Sequence, residues 1–160
     1  MACIAPADMQ AIVDKVSGLK SRRLRILKAL QCVLDTITEN NGYCHDICEA
    51  SFDVNAWRDR LEGDTPVIFI VDDKVNNIQR MAGRQRQYRW KVILFGVVKG
   101  FDMDEFEQHI ADVQECLEDN GALGGIASQI EVDAIRTDNQ LFSEKEDTHL
   151  YEMEDRKSVV

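Results

Sequence analysis

Proline is nearly absent from this chain, two in 160 residues, and no stretch approaches the roughly 20 consecutive apolar residues of a membrane span. The first residues, Met1 through Asp8, lack the basic start and apolar run of a secretory leader, so a soluble, cytosol-made product is expected. Cysteines are five, an odd number scattered at Cys3, Cys32, Cys44, Cys48 and Cys116. That excludes the disulfide framework of a small secreted protein and points to reduced, mostly buried thiols. Cations are also scarce, 19 Lys and Arg against 29 Asp and Glu, and a net charge of -10 argues against a protein whose main task is to grip phosphate.

What is present suits one globular domain over residues 1–160, with an N-terminal segment 1–17 and an acidic C-terminal extension 138–160. The order of signals predicts an α+β fold. A mixed, mostly antiparallel sheet of about four to five strands is packed by two main helices, and a long arm-like loop joins two central strands. A short helix is expected over 8–16, stopped by Ser17 and Gly18. A better one starts at Ser21 as N-cap, places Leu24, Leu27, Leu30 or Gln31, Leu34 and Ile37 on one stripe, and ends at Asn40-Asn41-Gly42, where glycine can close it in the left-handed conformation. Residues 43–52 read as a short strand and 53–64 as a polar connector around Trp57. The run 67–71 is continuously apolar, the pattern of a strand buried on both faces. Residues 88–99 form a longer strand with Trp90, Val92 and Leu94 on one side and Ile93, Phe95 and Val97 on the other.

Asp102 then reads as an N-cap with an acid at the third helical position, and Met103, Phe106, Ile110, Val113 and Leu117 recur at helical spacing up to a stop at Asn120-Gly121. An alternating strand follows over 129–134, and a last weak one over 149–153.

Charge is segregated by sign. The 15-residue gap 73–87 between the two apolar strands is too long for a tight hairpin, and a gap of that size is commonly a working part. Residues 74–91 carry Lys74, Arg80, Arg84, Arg86, Arg89 and Lys91 with no acid, whereas 102–119 carry eight acids with no Lys or Arg. Solvated surfaces would explain both. Plus meeting minus between copies of one chain would explain why they are separated, with Asp104, Glu105 and Asp112 as the acidic side of the contact. Arg22, Arg23, Arg25 and Lys28 sit at the helix end that favours anions, so helix stability does not account for them.

The catalytic constellations are thin. Cys44, His45 and Cys48 offer soft-metal ligands without the second pair a zinc site needs. Asp72 and Asp73 at a strand end could hold a magnesium ion, but no further acids of matching spacing stand beside them, and a strand-ending turn explains them better. The glycines at 121–125 follow a helix and precede a strand, the reverse of a phosphate-cradling loop. No nucleophile elbow accompanies any Cys and His. No enzyme, cofactor or metal is expected.

The succession Ile26-Leu-Lys-Ala-Leu-Gln-Cys-Val-Leu, Asn41-Gly-Tyr-Cys-His-Asp-Ile, Thr65-Pro-Val-Ile-Phe-Ile-Val-Asp-Asp, Trp90-Lys-Val-Ile-Leu-Phe-Gly-Val-Val, Phe106 to Leu117 with Gly121-Ala-Leu-Gly-Gly, and Ile130-Glu-Val-Asp-Ala-Ile-Arg-Thr resembles the tail terminator or tail completion proteins of long-tailed bacteriophages. The likeness runs from about Ser21 to Thr137 as a pattern of elements. It implies a virion protein at the head-tail junction, assembled as a homo-oligomeric, hexameric ring on the head-proximal end of the tail tube. Its partners would be the tail tube protein, the neck or connector protein and, in a contractile tail, the sheath protein, with genomic DNA passing through the lumen and no membrane involved. The chain departs from that pattern before Ser17, around Trp57 and after Asp138. Two alternatives remain at this point: another neck protein or DNA-contacting accessory protein using Arg22, Arg23, Arg25 and the arm, and a small metal-dependent hydrolase built on Asp72 and Asp73.

Overall fold

The computed structural model describes residues 4–56, 65–80, 86–121, 123–125, 129–138 and 148–159. Among these residues three α-helices, α1 (Pro6–Val16), α2 (Arg22–Leu34) and α3 (Met103–Asp119), accompany a mixed sheet of β1 (Glu49–Ser51), β2 (Val67–Arg80), β3 (Arg86–Lys99), β4 (Gln129–Asp138) and β5 (Thr148–Val159). The spatial order is β1-β2-β3-β5-β4, with β1 parallel to β2 and every other pairing antiparallel. The class is therefore α+β, as the sequence predicts. No helix among the described residues is long and apolar enough to cross a membrane.

Both predicted N-caps form. Ser21 Oγ accepts from the Leu24 N–H at 3.2 Å and Asp102 Oδ1 accepts from the Glu105 N–H at 2.8 Å. Each satisfies one donor that a helix start leaves open. The buried stripe of α2, however, is Ile26, Ala29, Leu30, Val33 and Leu34, and Leu24 lies outside it at 38% exposure. The helix also stops well short of Gly42. At its end Thr36 Oγ1 donates to the Val33 carbonyl, Gln31 Nε2 donates to the Ala50 carbonyl, and Asp35 Oδ1 accepts from the Ala50 N–H. These bonds turn the chain out of the helix while tying it to β1. Gly42, at φ 92°, instead closes a 3-10 turn over Glu39–Asn41.

The strand expected over 43–52 shrinks to Glu49–Ser51, because the donors of its first half go elsewhere. The N–H groups of Cys44 and His45 bind the Asp112 carboxylate, that of Ile47 binds the Ile37 carbonyl, and that of Cys48 binds the Pro66 carbonyl. A backbone committed in three directions cannot also form a ladder.

One contiguous core joins the helices to the sheet. Ile68, Ile70, Val92, Leu94 and Val98 pack with Ile26, Leu30, Val33, Phe106, Ile110 and Val113. The opposite face of the sheet buries Val67, Phe69 and Val97, with the Phe69 and Phe95 rings 6.3 Å apart, and the 3-10 turn Val54–Ala56 lies against β2 on the way from β1. This is the two-sided burial that the continuous apolar runs predict.

Two expectations need larger corrections. The arm is not a loop: β2 continues to Arg80 and β3 begins at Arg86, with Arg80 paired to Arg86, Ile78 to Tyr88 and Asn76 to Trp90 beyond an irregularity between Asp72 and Asn76. The last weak strand, expected over 149–153, is longer than that: Thr148–Val159 pairs with β3 throughout and with β4 on its other side. Two neighbouring ladders supply the hydrogen bonds that its polar sequence does not advertise.

Candidate functional site

Register brings several cationic positions of the strands to one end of the sheet. Lys74 and Arg80 lie on β2, and Arg86, Arg89 and Lys91 on β3. Across from Lys91 stands Arg156, and across from Trp90 stands Lys157. Arg84 lies outside the described residues. Arg156 and Lys157 were not singled out in the sequence, because they fall in a stretch that reads as an acidic tail. Their adjacency at the end of a strand pattern is the only local signal. By register Arg80 stands opposite Arg86 and Lys91 opposite Arg156, and Arg156 stands opposite Glu131 on its other side.

The acidic side of the predicted contact divides. Asp104 is exposed on the first turn of α3, and Glu107, Glu115, Glu118 and Asp119 are exposed further along the helix. Glu105 is half-buried, its Oε2 3.8 Å from His45 Nε2. Asp112 is a correction: it is 4% exposed, and its Oδ2 accepts from the N–H groups of Cys44 at 2.9 Å and His45 at 3.2 Å. Burial pushes its carboxyl up from the ordinary range, and the two backbone donors oppose that. It fastens the 43–45 loop to α3 and presents no charge outward.

Around Asp112 stands a cluster that the sequence did not show as such. His109 is fully buried, and desolvation, helped by the neighbouring His45, lowers its imidazole to about 4. Phe101 lies between the two imidazoles, 4.6 Å from the ring of His45 and edge-on to His109 at 6.2 Å. A signal did exist, since positions 106, 109, 112, 113 and 116 share the helical face that holds Phe106 and Val113. Chemically the cluster is quiet. The exposed Cys44 thiol is pushed up, chiefly by the Asp112 charge, which disfavours a reactive thiolate. Cys116 is buried, its thiol raised to about 11 by desolvation, with Sγ 3.5 Å from the Val33 carbonyl. Cys48 instead donates to the Thr65 carbonyl, so Cys44, His45 and Cys48 do not converge. Among the described residues no three His, Cys, Asp or Glu side chains could hold a metal ion. Asp72 pairs with Val92 at the last regular position before the β2 irregularity, and Asp73 falls within it.

The basic start of α2 is less open than its sequence suggests. Arg22 is exposed, whereas Arg23 and Arg25 are half-buried and Lys28 Nζ sits 4.8 Å over the Phe52 ring. A groove of about 560 Å³ opens between α1 and α2, lined by Ile12, Lys15, Cys32, Asp35 and Tyr43 among others. The arrangement as a whole defines an α+β protein in which cationic register positions on β2, β3 and β5 are separate from the exposed acids of α3. Searched against protein-family models and curated proteins, the chain matches no family and no curated protein.

Proposed function

We propose that this chain is a structural virion protein that assembles into a ring, capping the head-proximal end of a phage tail tube and joining tail to head. The ring ends tube polymerisation, takes the tail tube protein on one side and the neck or connector protein on the other, meets the sheath protein where the tail is contractile, and passes genomic DNA through its lumen. Catalysis has no part in it, and the proposed ring is a homohexamer located in the virion. The observation that carries the reading is the separation of charge: cationic positions collect at one sheet end, exposed acids along α3. Opposite signs on different surfaces of one chain favour head-to-tail contact between copies, the geometry that closes into rings. An acidic protein overall also lets DNA pass without adsorbing. Lys74, Arg80, Arg84, Arg86 and Arg89 are the proposed donors of the contact, with Asp104 and Glu105 as acceptors. Replacing Arg80 and Arg86 by Glu tests it: assembly weakens while far-UV circular dichroism and the unfolding midpoint stay unchanged. Unaltered assembly would count against the contact.

The same cationic sheet end favours a second reading, a DNA-contacting accessory protein of the neck. Duplex binding that falls steeply between 50 and 200 mM salt, by about a hundredfold or more, would support it over the ring.

A further inference from the structure

The cationic sheet end also carries aromatic positions, and the register decides which charges share a face with them. This end comprises residues 76–80 of β2, 86–91 of β3, 156–159 of β5 and 129–131 of β4, where six cations meet one acid, Glu131, in a chain of net charge -10. Alternation along β3 puts positions 86, 88 and 90 on the face of Val92 and Leu94, and positions 89 and 91 on the other. Directly paired positions share a face. Trp90 therefore stands in one row with Asn76, Lys157 and Ile130, Tyr88 in the next with Ile78 and Val159, and Arg86 in the last with Arg80. Among the described residues no Asp or Glu falls in these three rows, and Glu131 belongs to the other face, in the row of Lys91 and Arg156. The helices do not match the strands in length: the 17 residues of α3 span about 25 Å and the 14 of β3 about 46 Å. The described side chains of β2 and β3 in the helix-backed core are Ile68, Ile70, Val92, Leu94 and Val98, all of which fall short of the three rows.

We infer that this face of the sheet end binds single-stranded nucleic acid, with bases stacked at Tyr88 and Trp90 and phosphates of the same strand held by Arg80, Arg86 and Lys157. The inference rests on the nucleic-acid reading of this sheet end and narrows its ligand from duplex to unpaired strand. Unpaired strands are bound where cations run beside aromatic rings, because every base has a flat face and every nucleotide a phosphate. Positions 88 and 90 lie about 7 Å apart along one strand and on one face, with a cationic position in the row of Trp90 and two more in the row beyond Tyr88. A duplex would use the cations alone, since its bases are already stacked inside and reach no ring unless flipped out. An acidic protein surface would also pair with the cations, but a carboxylate has no flat base to lay on two rings. The acidic remainder of the chain repels a polyanion and confines it to this end.

Fluorescence of the full chain carrying Trp57→Phe, which leaves Trp90 as its one tryptophan, reads the contact. Oligothymidylate and oligouridylate are expected to quench Trp90, with affinity falling about twentyfold between 50 and 200 mM salt for three phosphate contacts. Whichever of the two binds more tightly supports the inference and tells DNA from RNA as the ligand. Arg86→Gln and Lys157→Gln should each lower the salt slope by about 0.7. Tyr88→Ala should weaken binding about tenfold, while Tyr88→Phe, which keeps the ring, restores it. A duplex that binds where neither single strand does would overturn the stacking face and leave the nucleic-acid reading standing, and binding of no nucleic acid would overturn both. Equal quenching by polyglutamate would overturn the inference in favour of an acidic protein partner. So would a salt slope that ignores Arg86→Gln and Lys157→Gln, because the strand would then lie on another surface.

Discussion

Acid should unfold this protein earlier than its many carboxylates alone would, and His109 is the reason. Its imidazole has an ordinary value of 6.5 and lies at about 4 in the fold, where it is 0% exposed and faces His45 and the Phe101 ring. Because the folded value is the lower one, the unfolded chain holds the extra proton between these two pH values. The stability His109 contributes is whole above pH 6.5 and is lost as pH falls through about 4. A fall from 6.5 to about 4 corresponds to roughly 3 kcal/mol, a substantial part of what holds a domain of this size together. Asp35 and Asp112 act in the opposite direction: burial raises both carboxyls, so the fold takes up their protons before the unfolded chain does and gains stability as pH falls. The raw pH profile therefore mixes signs, and the difference from a non-titrating variant isolates the histidine. For His109→Gln, urea unfolding from pH 7.5 down to 4 should show a deficit against wild type that shrinks by about 3 kcal/mol. A deficit constant to within about 0.5 kcal/mol would refute the reasoning, as would an imidazole nitrogen resonance titrating near pH 6.5.

Other consequences follow from single contacts. Asp112→Ala strands the N–H groups of Cys44 and His45 and should cost about 2–4 kcal/mol in urea unfolding, whereas Asp112→Asn, which keeps an acceptor oxygen, should cost about half as much. Gly124 sits at φ 67° with a built Cβ only 2.6 Å from Val13 Cγ2 and 3.0 Å from Met9 Cγ, while Gly100 at φ 78° faces open space. Alanine at 124 should therefore push α1 away and cost about 2–4 kcal/mol, and alanine at 100 about 1 kcal/mol, a difference readable in thermal melts. Leu30→Ala should cost about 2–5 kcal/mol and Leu24→Ala under about 1, because the buried stripe of α2 includes the first and passes by the second.

Local chemistry was legible and distant pairing was not. Ser21 and Asp102 cap their helices through donors three residues away, and Val92, Leu94 and Val98 reach the core by simple alternation, so a short window contains all the information. The end of α2 was misread because Gly42 is a good stop, while the bonds that end the helix run from Gln31 and Asp35 to Ala50. The segments 76–80 and 148–159 are polar, and polar strands show no periodic contrast. Their structure comes from the strands beside them. Asp112 looked like one acid among eight on a solvated helix. Its burial depends on the 43–45 loop closing over it, 67 and 68 residues away in sequence. The charge separation was visible in the sequence, but not its arrangement, since Arg156 and Lys157 join the cations only through the β3–β5 register.

The most direct test of the ring is native mass spectrometry of the full chain over a concentration series, with negative-stain images of the same samples. A closed ring of six copies that dissociates on reversal of Arg80 and Arg86 is the expected result. A chain that stays monomeric at every concentration and in the presence of tail tubes would contradict it.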